Sequence, residues 1–400
     1  MMNRFNRGCL LVVAAIAVVG SGLAAGCSMQ NKPQIVAQAA LEPAPALRPV
    51  EPSLHSAGDA QLTLFGEFPE RSRVPFHAQA ASPMEQHTFG SEGADFDVHV
   101  SPDGAWLAFS STRHSERPDI YLKKVGGQAV TLLACDPACD VQPAFSPDGR
   151  WVAFASNRSG NWDLWMVGLD GGPARQITNS PMQEVHPSFS PDAKRLAYCA
   201  FNERAQQWEL WTLQIDQPAS ARMIGVGLFP EWSPTGESIV YQRARQRGGR
   251  WFSIWRIDLA GGEPKFPIEL SARSDMALIH PTWSSDGQWI AYGTALLEGG
   301  SDSPGGSPVM SRGDIWIMRA DGTSPVQLTD GAGTHFSPAF GADGRVYFTS
   351  QRNGSENIWS VKPLLVPITP APAASKDKPG GLPAPPAAGP AMSVGMNSGR

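Results

Sequence analysis

The sequence predicts an all-β fold, a six-bladed β-propeller with disordered N- and C-terminal tails. Three observations predict it. An apolar residue followed by a Ser-Pro-Asp-Gly-like turn recurs six times, the steps between copies are 45, 44, 43, 51 and 57 residues, and each turn leads into short apolar segments rich in β-forming residues. A period in the forties is typical of propeller blades, four-stranded sheets that bury their faces only against neighbours. The copies begin at Val100, Phe145, Phe189, Trp232, Trp283 and Phe340.

The turn and the strand after it are clearest in the copy that begins at Phe145. Pro147 presets φ, Ser146 and Asp148 can bond nearby backbone groups, and a glycine follows at no steric cost, so a type I turn is predicted. The next segment, Trp151–Ser156, is apolar on both faces and too short for a buried helix. It therefore indicates a strand between two adjacent sheets.

A second strand in each copy ends in an aromatic residue, and a Gly-rich hairpin then leads to a third strand that closes with a sequence such as Gln176–Thr178. Residues 84–89 resemble this closing strand, whereas the sixth copy offers only the poorer Pro367–Thr369. We therefore expect the N-terminal strand to complete the last blade. The equivalent aromatics, which we interpret as packing between blades, are Tyr121, Trp165, Trp211, Trp255, Trp316 and Trp359.

The repeat resembles that of the TolB-type β-propeller over roughly residues 95–362. The resemblance is carried by His186–Asp192, Ser156–Arg158, Asp163–Trp165, Asp170–Gly171 and Gln176–Thr178. It implies a protein of the cell envelope that binds other envelope proteins. In TolB-type proteins an α/β domain precedes the propeller, and the sequence ahead of the propeller here, short and rich in Pro and Ala, leaves no room for one.

The N-terminal residues indicate export and a lipid anchor. Arg4 and Arg7 precede the apolar run Leu10–Val19, which is short for a membrane span, and small residues then lead to Cys27. Leu23–Cys27 resembles a bacterial lipobox, in which the cysteine is diacylated; the alternative is an ordinary signal peptide with an incidental cysteine. Ser after the cysteine favours, by the same resemblance, a periplasmic protein anchored to the outer membrane.

Composition divides the chain into four segments. Residues 1–26 are predicted as a signal peptide, 27–83 as a lipid-anchored Pro/Ala-rich linker, 84–369 as the propeller and 370–400 as a disordered Pro/Ala/Gly-rich tail. Linker and tail hold too few large apolar residues to offset the entropy of ordering.

Charge argues against a nucleic-acid partner. The formal net charge is −5 and the isoelectric point is about 5.9, so the chain lacks the basic surface that such binding needs. Arginines crowd the hairpin of the fourth copy, which we interpret as a solvated hairpin or as a dock for an acidic partner; they are Arg243, Arg245, Arg247 and Arg250. The Gly/Ser-rich insertion Leu297–Gly313 is predicted to be a surface loop.

Two of the five cysteines are spaced for a local disulfide. Cys135 and Cys139 flank three residues at the junction of the first two copies, and an exported protein meets oxidising conditions. A zinc site is the weaker alternative because no second cysteine pair or nearby histidine accompanies them. Cys199 lies in a predicted strand and is expected to be buried.

One position of the repeat is expected to line the central axis of the propeller. It lies three residues before the start of each copy and holds Asp97, Gln142, His186, Phe229, His280 and Ser337. Oligogalacturonate lyases, which are built on a similar propeller, use a His/Gln metal site, so Asp97, Gln142, His186 and His280 are candidate metal ligands by that resemblance. The alternative is that this position shapes the start of the strand. Because Phe229 and Ser337 interrupt the set, we expect no metal and no cofactor.

Three functions remain open at this point. The first is a non-catalytic, lipid-anchored binding module whose partners are cell-envelope proteins. The second is a metal-dependent carbohydrate lyase, and the third is a sensor of small ligands or glycans. A propeller-bearing peptidase is not expected, because such an enzyme needs a Gly-x-Ser-x-Gly elbow and a hydrolase domain after the last copy, and the sequence shows neither.

Overall fold

The computed structural model describes residues 82–244, 252–298 and 309–364, which form six antiparallel β-sheets. The all-β, six-bladed prediction is confirmed. No helix long and apolar enough to cross a membrane occurs among these residues. The predicted signal peptide, Cys27, nearly all of the linker and the predicted tail lie outside the described residues.

The first three blades each contain four consecutive strands. Blade 1 consists of β2 (Asp95–Val100), β3 (Trp106–Ser111), β4 (Asp119–Lys124) and β5 (Val130–Ala134). Blade 2 consists of β6 (Asp140–Phe145), β7 (Trp151–Ser156), β8 (Asp163–Gly168) and β9 (Arg175–Gln176). Blade 3 consists of β10 (Gln183–Phe189), β11 (Arg195–Asn202), β12 (Gln207–Gln214) and β13 (Gln217–Val226).

Blades 4 and 5 carry an extra strand, and blade 6 combines the two ends of the propeller. Blade 4 consists of β14 (Leu228–Trp232), β15 (Ser238–Ala244), β16 (Phe252–Ala260), β17 (Glu263–Pro264) and β18 (Ile268–Ser271). Blade 5 consists of β19 (Ala277–Trp283), β20 (Trp289–Glu298), β21 (Val309–Arg312), β22 (Ile315–Arg319) and β23 (Val326–Gln327). Blade 6 consists of β24 (His335–Phe340), β25 (Val346–Ser350), β26 (Asn357–Val361) and β1 (Glu85–Gln86).

The ring is closed by β1, as the sequence predicted. Glu85 lies opposite Ser360 and pairs β1 antiparallel to β26. The chain after β1 continues the attachment, because the Thr88 hydroxyl accepts from the Ile358 N–H at 2.9 Å and donates to Asn357 Oδ1 at 3.1 Å. We call this junction of blade 6 with blade 1 the seam.

The Ser-Pro-Asp-Gly sequences form the predicted tight turns between the first and second strands of the blades. In blade 2 the Gly149 N–H donates to the Ser146 carbonyl at 2.9 Å, and the Ser146 hydroxyl donates to Asp148 Oδ1 at 2.5 Å. These turns lie at one end of the blades, here called the turn face. The connections between second and third strands lie at the other end, the loop face.

The core lies between neighbouring blades. The strand after each turn is almost wholly buried, as in Val152, Ala153 and Phe154 of β7, which are fully enclosed. Cys199 of β11 is likewise fully buried, as predicted. Apolar side chains that fill the space between two sheets remove large areas from water, which is the main force that holds blades together.

Two connections at the loop face include residues outside the described ranges. Residues 245–251 connect β15 to β16, and Arg245, Arg247 and Arg250 lie outside the described residues. In blade 5 the predicted surface loop begins as a paired extension, since Leu297 of β20 lies opposite Met310 of β21. Residues 299–308 lie outside the described residues.

Candidate functional site

The innermost strand of every blade is distorted at one residue, and this is the position that the sequence singled out. The pairing register of each innermost strand shifts at that residue, which has a positive φ of 50° to 59°. A β-bulge of this kind redirects a side chain, and a positive φ in a residue other than glycine carries strain. The six residues, here called the axial ring, are Asp97, Gln142, His186, Phe229, His280 and Ser337.

Contacts between neighbouring blades join the axial ring side to side. Side-chain atoms lie 2.7 Å apart in Gln142–His186, 3.0 Å in His280–Ser337 and 3.2 Å in Ser337–Asp97, and ring centroids lie 3.6 Å apart in His186–Phe229 and 3.9 Å in Phe229–His280. Residues from all six blades therefore converge, as expected for a position that lines the axis. The structure brings together all four candidate metal ligands, but it also fills the space between them.

One half of the axial ring is the pair Gln142 and His186. Gln142 Oε1 accepts from the backbone N–H of His186 at 3.0 Å, which leaves the amide nitrogen facing the His186 ring. An amide nitrogen only donates hydrogen bonds, so His186 Nε2 accepts and the proton of the neutral imidazole lies on Nδ1. Within the described residues, Nδ1 is buried without a hydrogen-bond partner.

The other half is a chain of three polar side chains. The Ser337 hydroxyl donates to Asp97 Oδ1, so its oxygen accepts from His280 Nδ1–H. This arrangement places the unprotonated lone pair of His280 on Nε2. Among the described residues, neither His280 Nε2 nor Asp97 Oδ2 has a hydrogen-bond partner.

Burial shifts the pKa of the titratable side chains of the axial ring toward their neutral forms. It lowers the pKa of His280 to about 3 and holds the pKa of His186 well below its usual range, so both imidazoles are uncharged. Burial also raises the pKa of Asp97 to about 7, an effect that the Ser337 hydrogen bond reduces and the charge of Glu356 adds to. Asp97 is therefore the one residue of the axial ring that changes its charge near neutral pH.

The axial ring does not fit one ion held by all four candidate ligands. His186 presents a proton on Nδ1 and an occupied lone pair on Nε2, so it cannot ligate without breaking its bond to Gln142. The Phe229 ring packs against both imidazoles and stands between them. In the described ranges no three His, Cys, Asp or Glu side chains are grouped as metal ligands. Only His280 Nε2 and Asp97 Oδ2 remain available, fewer than the three protein ligands usual at a catalytic zinc.

Sequence reasoning missed a half-buried carboxylate between blades 4 and 5. Glu231 Oε1 accepts from the Thr282 hydroxyl at 2.8 Å and from the Trp283 N–H at 3.3 Å. Burial raises the pKa of Glu231 to about 7, against these hydrogen bonds, which lower it. The sequence feature that could have indicated this site is a glutamate in an otherwise apolar strand, directly before Trp232, which precedes the turn.

Arginines at the loop face were also missed. Arg113 pairs with the buried Asp95 at 2.8 Å and Arg158 with the buried Asp140 at 2.6 Å. The same guanidinium groups lie over the aromatic residues of the second-strand position, with Arg158 4.9 Å from the centre of the Trp165 ring. The aromatics pack between blades as predicted, but four of the six are only half-buried, namely Trp165, Trp211, Trp255 and Trp316.

The two cysteines predicted to pair lie in the connection from β5 to β6. Cys135 is exposed and Cys139 is buried. Their spacing keeps both within one short loop at the loop face. The disulfide stays a prediction.

Comparison with known proteins gives one match to a family model. Residues 78–248 match the family model of the TolB beta propeller domain. No curated protein matches the chain. The match covers the first half of the ring, and the blades beyond it repeat the same turn, bulge and strand order.

Solved structures share the fold at low sequence identity. A TolB candidate from Agrobacterium tumefaciens is 20% identical, with a TM-score of 0.50 over 69% of this chain and 92% of that one. TolB from Acinetobacter baumannii is 18% identical, with a TM-score of 0.47 over 70% and 65%. An oligogalacturonate lyase from Vibrio parahaemolyticus is 14% identical, with a TM-score of 0.47 over 70% and 96%. Likeness of this degree concerns the fold alone.

Proposed function

Because the chain carries a six-bladed propeller of the TolB type, we propose that it is a non-catalytic protein-binding module of the cell envelope. In this proposal Cys27 carries the lipid that anchors it in the periplasm, and the linker of residues 27–83 lets the propeller reach its partner. The observation that carries the proposal is the occupancy of the axial ring. Its side chains bind and pack against one another, which leaves the outer faces for recognition.

The loop face is the better candidate for the binding surface. The longest connection between two strands of a blade, from β20 to β22, leaves the propeller there. Long connections on a rigid scaffold commonly carry binding function. The turn face, in contrast, repeats nearly the same short turn in every blade.

A photo-crosslinking experiment tests this assignment. A photoreactive amino acid replaces the exposed residues Glu116 or Arg204 of the loop face, and, as matched controls, Arg150 or Lys194 of the turn face. Irradiation of intact cells should give discrete crosslinked envelope proteins from the loop face only. Equal products from both faces, or products from the turn face alone, would contradict the proposal.

The anchor is tested separately. Native protein should partition into detergent, and Cys27→Ala should leave it unprocessed or freely soluble, because several acyl chains hold a protein firmly at a membrane whereas one binds it only marginally. A mature protein that stays wholly in the aqueous phase, with an N-terminal residue other than Cys27, would rule the anchor out.

A further inference from the structure

One buried position of the repeat is occupied by a charged residue only in blade 1, next to the seam. Two residues after each second-strand aromatic, the chain places a buried side chain. In blades 2 to 5 this side chain belongs to a core cluster that also contains residues of the preceding blade. In five blades it is apolar, and in blade 1 it is a lysine, also buried. The six residues are Lys123, Val167, Leu213, Ile257, Met318 and Val361.

Lys123 lies beside a cavity that spans the seam. The cavity has a volume of about 210 Å³; one wall is the segment after β1, His87–Gly90, and the other includes Lys123, Gln128, Val130 and Arg113. An engineered cavity of about 150 Å³ is known to admit benzene, so the volume here is sufficient for a ring of that size. Phe89, which is 66% exposed, marks its opening to solvent.

The charge of this cavity is close to a single positive unit. The Arg113 charge is balanced by Asp95, 2.8 Å away. Burial lowers the pKa of His87 to about 4, so its ring is neutral at pH 7. Lys123 Nζ donates to the Gly127 carbonyl, and in the described part of the chain no carboxylate forms an ion pair with it.

A buried ammonium without a counter-ion destabilises the fold. Burial, followed by the nearby Arg113 charge, lowers the pKa of Lys123, which reports the cost of charging the group there. Met318 in blade 5 shows that an unbranched apolar side chain fits the equivalent place. A lysine is therefore not needed to fill the space, and an anion that enters the cavity would offset its desolvation.

We propose that the seam cavity binds a small organic carboxylate, with its ionised group on the Lys123 ammonium and its apolar part against Phe89 and Val130. A carboxylate matches the single unbalanced charge, whereas a phosphate dianion would bring one negative charge too many. Ligand binding here would hold the segment after β1 against blade 1, because the two walls belong to the two blades that meet at the seam. This inference does not depend on the proposed function.

Calorimetric titration of the purified protein with benzoate tests the proposal. Benzoate should bind saturably at millimolar concentration, and benzylamine, which has a similar ring and the opposite charge, should not bind. Lys123→Met should weaken benzoate binding by at least about tenfold, because a charge-assisted hydrogen bond is lost. Val167→Met changes the equivalent residue of blade 2 and should leave it unchanged.

Two further measurements test the contribution of Phe89 and the preference for a singly charged ligand. Phe89→Ala should weaken benzoate binding more than acetate binding, because only benzoate has a ring to place against Phe89. Inorganic phosphate should compete poorly with benzoate. Lys123→Gln replaces Lys123→Met if the latter does not fold. The proposal is overturned if benzoate fails to saturate, if the Lys123 variants bind it as native protein does, or if phosphate binds more tightly than benzoate.

Discussion

The Gln142 side chain holds His186 at two points, its backbone N–H and its ring Nε2. Since one amide contacts both, the orientation of the amide and the position of the imidazole proton follow together. The positive φ of His186 makes this possible by turning its backbone toward the neighbouring blade. A histidine that the sequence offered as a metal ligand is thus committed to a hydrogen bond between blades.

The axial ring should contribute to stability and not to partner binding. We expect His186→Ala with His280→Ala to lower the free energy of unfolding by about 2–5 kcal/mol, because the Phe229 and Gln142 contacts are lost. Loop-face crosslinks should persist. Metal analysis and a polysaccharide-lyase assay are the checks. A stoichiometric transition metal that disappears in the double variant, together with unsaturated sugar products from native protein, would favour the lyase.

The Arg158–Asp140 ion pair should matter far more than an exposed pair of the same chemistry. Arg158→Met leaves the fully buried Asp140 without its guanidinium and is expected to cost about 3 kcal/mol or more. The control is Arg150→Met, which removes an Arg150–Asp148 pair of similar length, 2.8 Å, but exposed to solvent; it should cost less than about 1 kcal/mol. Chemical denaturation at neutral pH measures both, and equal losses would contradict the assignment.

Glu231 should make the propeller less stable as the pH rises. Its pKa is raised from 4.5 to about 7 in the folded protein, so the folded state binds the proton more tightly and stability is lost over that interval. Relative to native protein, Glu231→Gln should gain up to about 3 kcal/mol near pH 8 and little near pH 4. Thermal unfolding across this range is the measurement. Glu237→Gln, an exposed change in the same blade, should show no such trend.

Thr88 should stabilise the seam as Thr178 stabilises blade 2. The Thr88 hydroxyl accepts from the Ile358 N–H, and the Thr178 hydroxyl accepts from the Leu164 N–H, in each case at 2.9 Å. Replacement of either by Val keeps the shape and leaves a buried donor unpaired, at a cost of about 1–3 kcal/mol. A loss for Thr178→Val with none for Thr88→Val would mean that the ring is open in solution.

The sequence was sufficient to predict the six blades and their closure, but not the hydrogen bonds among the axial side chains. The turns after Phe145 and its counterparts, and the closing role of residues 84–89, could be predicted because turn chemistry and a repeated strand pattern are local properties. The positions of the axial ring followed from the same period. Its hydrogen bonds could not be predicted, since the Gln142 amide reaches a residue 44 positions away in another blade.

Other features needed the packing between blades. In the sequence nothing distinguishes the side chain of Arg158 from that of a solvent-exposed loop arginine. In the structure it forms an ion pair with Asp140 and lies over the Trp165 ring. Alignment of the repeats shows Lys123 as the one charged residue at a position that is otherwise apolar. From the sequence alone, however, a lysine there could equally well lie at the surface. Its burial beside a cavity is a property of the seam, which exists only when the first and last strands meet.

The closure by β1 also decides where the propeller gives way under mechanical load. Tension applied to the chain ahead of residue 82 reaches β1 before any other strand, and β1 pairs with β26 over two residues, whereas β25 pairs with β26 over five. A pull from that side would therefore peel β1 away first and expose the edge of β26. Once β1 had detached, the tension would pass along the chain to β2, the innermost strand of blade 1.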